Sequence, residues 1–364
     1  LVILWGRSTT NLLRALLRGL NRIELDSLTR VAEGVTGLVL VVVLLGAFRS
    51  VMSAAVGLAV ASALTLIGSL WLVSHVVRGA YVLDQRLIVR LVRAAVPVGV
   101  ASSIQQLYWK LAPLLLSVLR PVADVGLFSA AFSTVVLSYG VSLAVVSSVF
   151  PTLSALALRD ASRFRQVVED GLRYMSAMSL PVGGLMILLS AQIMVLLYGA
   201  AFIEAADAVA VLGLMVPLMF ARVFFWGALV AVGKQNLLIP AVLVSLTAML
   251  MLCFVLIPPL DIVGAAIANL VGEACMVVLL GWFLSGQVSP IGMIRASASP
   301  LFATAISVAC LWLLRPHLDG WLLVLLGTFV YCAVLLATKG IRPRELSSVM
   351  FGLSRIHGQI HARR

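Results

Sequence analysis

Residues 34–76 contain one Asp, Glu, Lys or Arg, Arg49, and residues 235–260 contain none. Uncharged apolar stretches this long limit what the chain can fold into more than any other feature. Helices of about 20 such residues cross the hydrocarbon core of a bilayer. In that medium the backbone must satisfy its own hydrogen bonds, so only helices and closed barrels qualify. Composition points the same way: 62% of the 364 residues are hydrophobic and 11% are charged, against about 25% charged in a soluble domain. A soluble globule leaves too much surface exposed to hide that apolar content. A soluble enzyme, a disordered tail and a small disulfide scaffold are excluded.

Ten segments read as membrane helices: 31–48, 51–77, 94–119, 126–150, 174–198, 208–231, 237–257, 262–284, 299–314 and 321–338. Residues 1–5 look like the tail of an earlier span, and the non-Met start suggests an N-terminally incomplete sequence. Barrel strands would alternate in short segments, and these do not. The expected fold class is all-α, a polytopic transmembrane helical bundle.

The net charge of +12 comes from 26 Lys and Arg against 14 Asp and Glu. The connections between spans sort these charges. One set is Arg-rich: 6–30, 78–93, 151–173, then Lys234, Arg295 and the tail 339–364. The other set holds Arg49, Arg120 and Arg315 with Asp124, Glu204, Asp207, Asp261 and Asp319. Twenty-one basic residues thus fall on one side and three on the other. The positive-inside rule puts the Arg-rich side, with both chain ends, in the cytoplasm. The basic excess therefore implies no nucleic-acid partner; these loops are expected to set orientation and meet anionic membrane lipids.

Two cations remain, Lys110 and Arg222, both inside predicted spans. Charges there are rare and face a cavity or a partner. Gln106, Lys110 and Pro113 share a helix face, while Gln105 lies about 100° from Gln106. Glu273 sits mid-span near Asn269. Each cation can snorkel or pair structurally, and Glu273 can serve as an interhelical partner. Alternatively the three line a lumen of net positive charge suited to a phosphate or carboxylate. Prolines 97, 113, 181, 217 and 240 can bend spans around such a lumen. Gly264-Ala265-Ala266 permits close helix contact.

Motifs for chemistry are lacking. No HExxH or GxSxG pattern occurs. Gly227…Gly233-Lys234-Gln235 has five residues between its glycines where a phosphate-binding loop has four. The histidines 75, 317, 357 and 361 are scattered, and Cys253, Cys275, Cys310 and Cys332 stand singly in apolar runs. No enzyme activity, cofactor or metal is expected.

Several stretches resemble the polysaccharide flippases of the multidrug/oligosaccharidyl-lipid/polysaccharide exporter superfamily. The segment 110–131 is similar to their "R-x-D-x-x-L-L … VG-x-Y-x-AA" pattern. Phe150-Pro151-Thr152-Leu153-Ser154, Leu197-Tyr198-Gly199 through Phe202, and Ala231-Val232-Gly233-Lys234 follow in order. Ile257-Pro258-Pro259 through Gly264-Ala265-Ala266-Ile267-Ala268 and Glu273 complete the series, which covers about 10–285. Two departures stand out: Ala112 replaces the family's acid and Phe128 its tyrosine. Losing the acid puts ion coupling at that position in doubt and leaves Lys110 without a neighbouring counter-charge.

The resemblance implies twelve or fourteen helices in two six-helix lobes around a central cavity, working by alternating access. It divides this chain into a remnant of the N-terminal lobe (1–77), a cytoplasmic linker (78–93), a six-helix C-terminal lobe (94–284), an extra helix pair (285–338) and a basic cytoplasmic tail (339–364), with the first four helices missing. It implies flipping of a polyprenyl-diphosphate-linked glycan across the bacterial cytoplasmic membrane, with polymerase and glycosyltransferases of the same pathway as possible partners. Lys110, Arg222 and Gln106 would bind the diphosphate or acidic sugars; Glu273 would pair with a cation or bind a coupling ion. The alternatives are a lipid II flippase and a cation-coupled multidrug exporter. A membrane glycosyltransferase would need a sizeable outer loop, and none is present.

Overall fold

The computed structural model describes residues 2–19, 22–76, 85–314 and 320–338. The basic tail, Arg78, Arg315 and the histidines beyond His75 lie outside the described residues. The chain divides into two compact units, Leu1–Ile88 and Val89–Arg364.

The first unit contains α1 (Val2–Gly19), α2 (Ile23–Phe48) and α3 (Val51–Val76). The stretch expected to leave a span at residue 5 and run on as an Arg-rich loop is instead a continuous helix, α1. Its Gly6, Thr10, Arg14 and Leu17 recur at helical spacing and are buried. Gly6 lies against α3, where a Cβ would stand 3.3 Å from Ser62 Oγ. Arg14, grouped with loop cations by sequence, is only 4% exposed. Its Nη1 pairs with Glu33 at 2.8 Å, Nη2 donates to the Thr29 carbonyl at 2.8 Å and Nε to the Thr29 hydroxyl at 3.1 Å. Arg14 is thus a buried structural cation, satisfied by acceptors on α2.

The second unit begins within α4 (Gln85–Leu119) and continues through α5 (Val122–Val136), α6 (Tyr139–Arg159), α7 (Ala161–Leu188), α8 (Ser190–Tyr198), α9 (Ala206–Gly213), α10 (Met215–Ala231), α11 (Leu238–Leu284), α12 (Pro290–Leu314) and α13 (Gly320–Ala337). Over the described residues the ten predicted spans lie in helix but for Thr338, three of them interrupted. Among the described residues there is no strand. Within those residues five helices are long and apolar enough to cross a membrane, or up to seven if each of two bent pairs is one span.

The breaks have local causes. Asp261 has φ 52° and ψ −129°, which divides α11 into two arms. Pro258 and Pro259 precede it and withdraw two backbone donors. The arms fold back on each other. A Cβ on Gly264 would run into the Leu256 backbone, although the two residues would lie about 12 Å apart on a straight helix. One on Gly272 would stand 2.9 Å from Met249 Cβ, and Ser245 Oγ donates to Met276 Sδ at 3.7 Å. These pairings keep one antiparallel register. Gly264, Ala268 and Gly272, four residues apart, form the small-residue seam that permits it. Between α9 and α10 the bend is 43°. Pro217 lacks the N–H that would reach Gly213, and Gly183 of α7 presses into that gap, its Cβ position 2.6 Å from the Gly213 carbonyl. The 84° bend between α7 and α8 lies at Leu189, eight residues beyond Pro181.

Charges at the helix ends also meet. Arg120 pairs with Asp124 at 3.4 Å and with Asp261, tying the α4–α5 corner to the α11 reversal. At the start of α7, Asp160 accepts from the Ser162 amide at 3.1 Å, the Ser162 hydroxyl at 2.6 Å and the Arg163 amide at 3.0 Å. The Ser162 hydroxyl, then the Arg163 amide, hold its carboxyl below the usual carboxylate range. A lowered pKa means the cap acts fully above the unfolded carboxylate value, about 3.9, and is lost as pH falls through the folded one. Asp160→Ala should therefore speed hydrogen exchange at the Ser162 and Arg163 amides at pH 7; exchange unchanged from wild type would refute the cap.

Candidate functional site

The polar stretch of α4 sorts onto two faces. Ala101, Gln105, Tyr108, Ala112 and Leu116 are buried, and Ser102, Ser103, Gln106 and Lys110 are exposed. Gln106 and Lys110 share a face as the spacing predicted, but it is an open one. Lys110 makes no ion pair among the described residues.

Arg222 of α10 is 2% exposed and Glu273 of α11 is fully buried. Arg222 Nε donates to Glu273 Oε1. The guanidinium also stands 5.7 Å from the ring centroids of both Trp109 and Tyr139, which meet edge to face at 4.8 Å. Two aromatic faces and a carboxylate thus hold one cation. Of the open options for Glu273, pairing with Arg222 is the geometry present. Tyr108 closes the cluster from α4, its hydroxyl donating to the Asn269 carbonyl at 3.3 Å, with Gly272 leaving room for that hydroxyl.

The two intramembrane cations therefore occupy different settings. Arg222 is buried beside the Trp109 ring, and Lys110, the next residue along α4, is exposed. Sequence reasoning passed over Tyr108, Trp109 and Tyr139 as surroundings of the pair. Gln105 is 8% exposed. Neither atom of its amide, nor Arg222 Nη2, Glu273 Oε2, Asn269 Oδ1 or Trp109 Nε1, has a hydrogen-bond partner among the described residues. The period Ala101–Gln105–Tyr108–Ala112 carried a signal for Gln105; the Trp109–Tyr139 clamp had none, because it joins residues from separate helices. Among the described residues no three His, Cys, Asp or Glu gather to hold a metal, and the four cysteines are free thiols.

A sequence model of the polysaccharide biosynthesis protein family matches residues 2–157. No curated protein sequence matches the chain. Among solved structures, the lipid II flippase MurJ in an inward closed conformation superposes with a TM-score of 0.73 over 94% of this chain and 73% of MurJ, at 16% identity. The chain has the MurJ fold. A multidrug resistance MATE family transporter in an outward-facing conformation gives a TM-score of 0.43 at 19% identity, over 68% of this chain and 65% of that one. A MOP superfamily transporter from Pyrococcus furiosus gives 0.44 at 16% identity with the same coverages. The MurJ fold with its long apolar helices makes this a multi-pass membrane protein. Its second unit includes the α11 hairpin and the Arg222–Glu273 pair, both beyond the part matched by the family model.

Proposed function

We propose that the protein flips a polyprenyl-diphosphate-linked oligosaccharide from the cytoplasmic to the outer leaflet of the bacterial cytoplasmic membrane, with the Arg-rich connections in the cytoplasm. The observation that carries this reading is the MurJ fold across 94% of the chain. The polysaccharide biosynthesis match over 2–157 favours an oligosaccharide over lipid II. Lipid II remains the second reading, since the superposed structure is a lipid II flippase.

In this reading Lys110 and Gln106 meet the diphosphate, and Arg222 supports the wall on which they stand. An ammonium within a span is costly to leave unpaired, by about 2.5–3.5 kcal/mol near a helix centre, so a dianionic head group offsets that cost. Arg222 is committed to Glu273, and direct contact with substrate would require opening that pair. The same pair weighs against cation-coupled drug export through Glu273, because a coupling ion would have to displace a guanidinium.

The test uses the intact gene product in cells lacking their own oligosaccharide flippase. Lys110→Ala should lower polymer export about tenfold or more, the effect of one charge-assisted contact, while Lys110→Arg retains most of it. Normal export by the Ala variant would sink the role given to Lys110. Rescue of cell-wall synthesis in place of polymer export would select lipid II.

A further inference from the structure

At the ends where α7 and α12 begin lies a pocket of about 560 Å³ that the substrate reading does not use. Arg165, Glu169 and Arg173 line it from one face of α7, at i, i+4 and i+8. Arg295 of α12 and Ser289, just before it, complete the polar lining. The two helices run parallel: Gly292 packs on Glu169 and Ser176 Oγ stands 2.9 Å from Ser297 Oγ. Both N-termini therefore open at one end of the unit. Three arginines line one cavity there, and among the described residues Glu169 is the acid that lines it with them. That carboxylate lies over Gly292. Arg173 is shared with Asp170 at 3.4 Å, Arg165 Nε donates to the Gln287 carbonyl at 3.2 Å, and Arg295 is exposed with no ion pair among the described residues. Lys234 Nζ stands 4.0 Å from the Cβ position of Gly286, adding a fourth cation at this end.

Orientation signalling needs only net charge outside the bilayer; it does not need three arginines converging on a cavity. Guanidiniums provide planar forks that match phosphate oxygens. The first-turn amides of α12 have no intrahelical acceptor and point their dipole the same way. The volume suits a small ligand, and basic pockets between the ends of membrane helices take phosphate head groups. We infer that this pocket binds a phosphate-bearing anion, held by Arg165, Arg173 and Arg295, at a site separate from Lys110 and independent of the proposed cargo.

Dioctanoyl phosphatidylglycerol, dioctanoyl phosphatidylcholine and inorganic pyrophosphate are titrated separately into the purified full chain in neutral detergent, with binding read by native mass spectrometry. Phosphatidylglycerol should bind in preference to phosphatidylcholine if the source is a lipid, and pyrophosphate should bind alone if it is soluble. In either case Arg295→Ala should weaken binding about tenfold and Arg295→Lys less. Arg163→Ala removes the same charge from the first turn of α7, outside the pocket, at a side chain 75% exposed, and should leave binding unchanged. Arg295 is exposed, so the variant should elute as the wild type does on size exclusion. Equal loss in Arg163→Ala, no loss in Arg295→Ala, or no binding of either anion would overturn the site.

Discussion

Arg222→Ala is expected to lower stability by about 3–5 kcal/mol, the cost of leaving one half of a buried ion pair without its partner. Glu273 would then be a fully buried carboxylate without the cation that Nε of Arg222 supplies. Glu273→Ala should be comparably harmful, since it leaves a guanidinium whose remaining support is the Trp109 and Tyr139 faces at 5.7 Å. The double variant Arg222→Met with Glu273→Leu fills similar volume with no charge, and should recover much of the loss. Thermal unfolding in detergent, followed by the fraction remaining monodisperse, gives the cycle. A double variant as unstable as the sum of its singles would show that the two side chains do not act as a pair.

The second large effect belongs to the α11 hairpin. Gly264→Leu should prevent the second unit from folding, because its side chain would have to occupy space held by the Leu256 backbone, which no rotamer change can vacate. Gly272→Leu meets Met249 Cβ and the Tyr108 hydroxyl, side-chain atoms where Gly264→Leu meets backbone, and should be less severe. Gly99→Ala, in α4 with nothing within 4 Å of the added methyl, is the control. It should be neutral or stabilising by about 0.5–1 kcal/mol through helix propensity. Expression yield and monodispersity of the three variants would rank them. A Gly264→Leu protein as well behaved as Gly99→Ala would disprove the hairpin.

The register of that hairpin shows where sequence reading stops. The separate spans 237–257 and 262–284 implied a reversal, and Gly264-Ala265-Ala266 a close contact. Which residue of one arm meets which residue of the other follows from three-dimensional packing of Met249 on Gly272 and Ser245 on Met276. The bend at Pro217 was also legible as a missing donor, whereas its depth depends on Gly183 arriving from α7. The bend at Leu189 carries no proline and could not be read.

Charges divide the same way. The lengths of the apolar runs determined by themselves that this is a helical membrane protein, because an unpaired backbone group in hydrocarbon is too costly for anything else. They also identified Lys110, Arg222 and Glu273 as exceptions to be explained, because a charge among twenty apolar residues is conspicuous in one dimension. Which exception is neutralised was decided only by tertiary structure. Ion pairing depends on distances of a few ångströms between helices far apart in sequence, and linear spacing does not encode them. Arg222 meets Glu273 across 51 positions, Arg14 is satisfied by Glu33 and Thr29, and Lys110 is left exposed. The pocket at Arg165, Arg173 and Arg295 looked like part of an orientation signal until two helix starts brought its cations together.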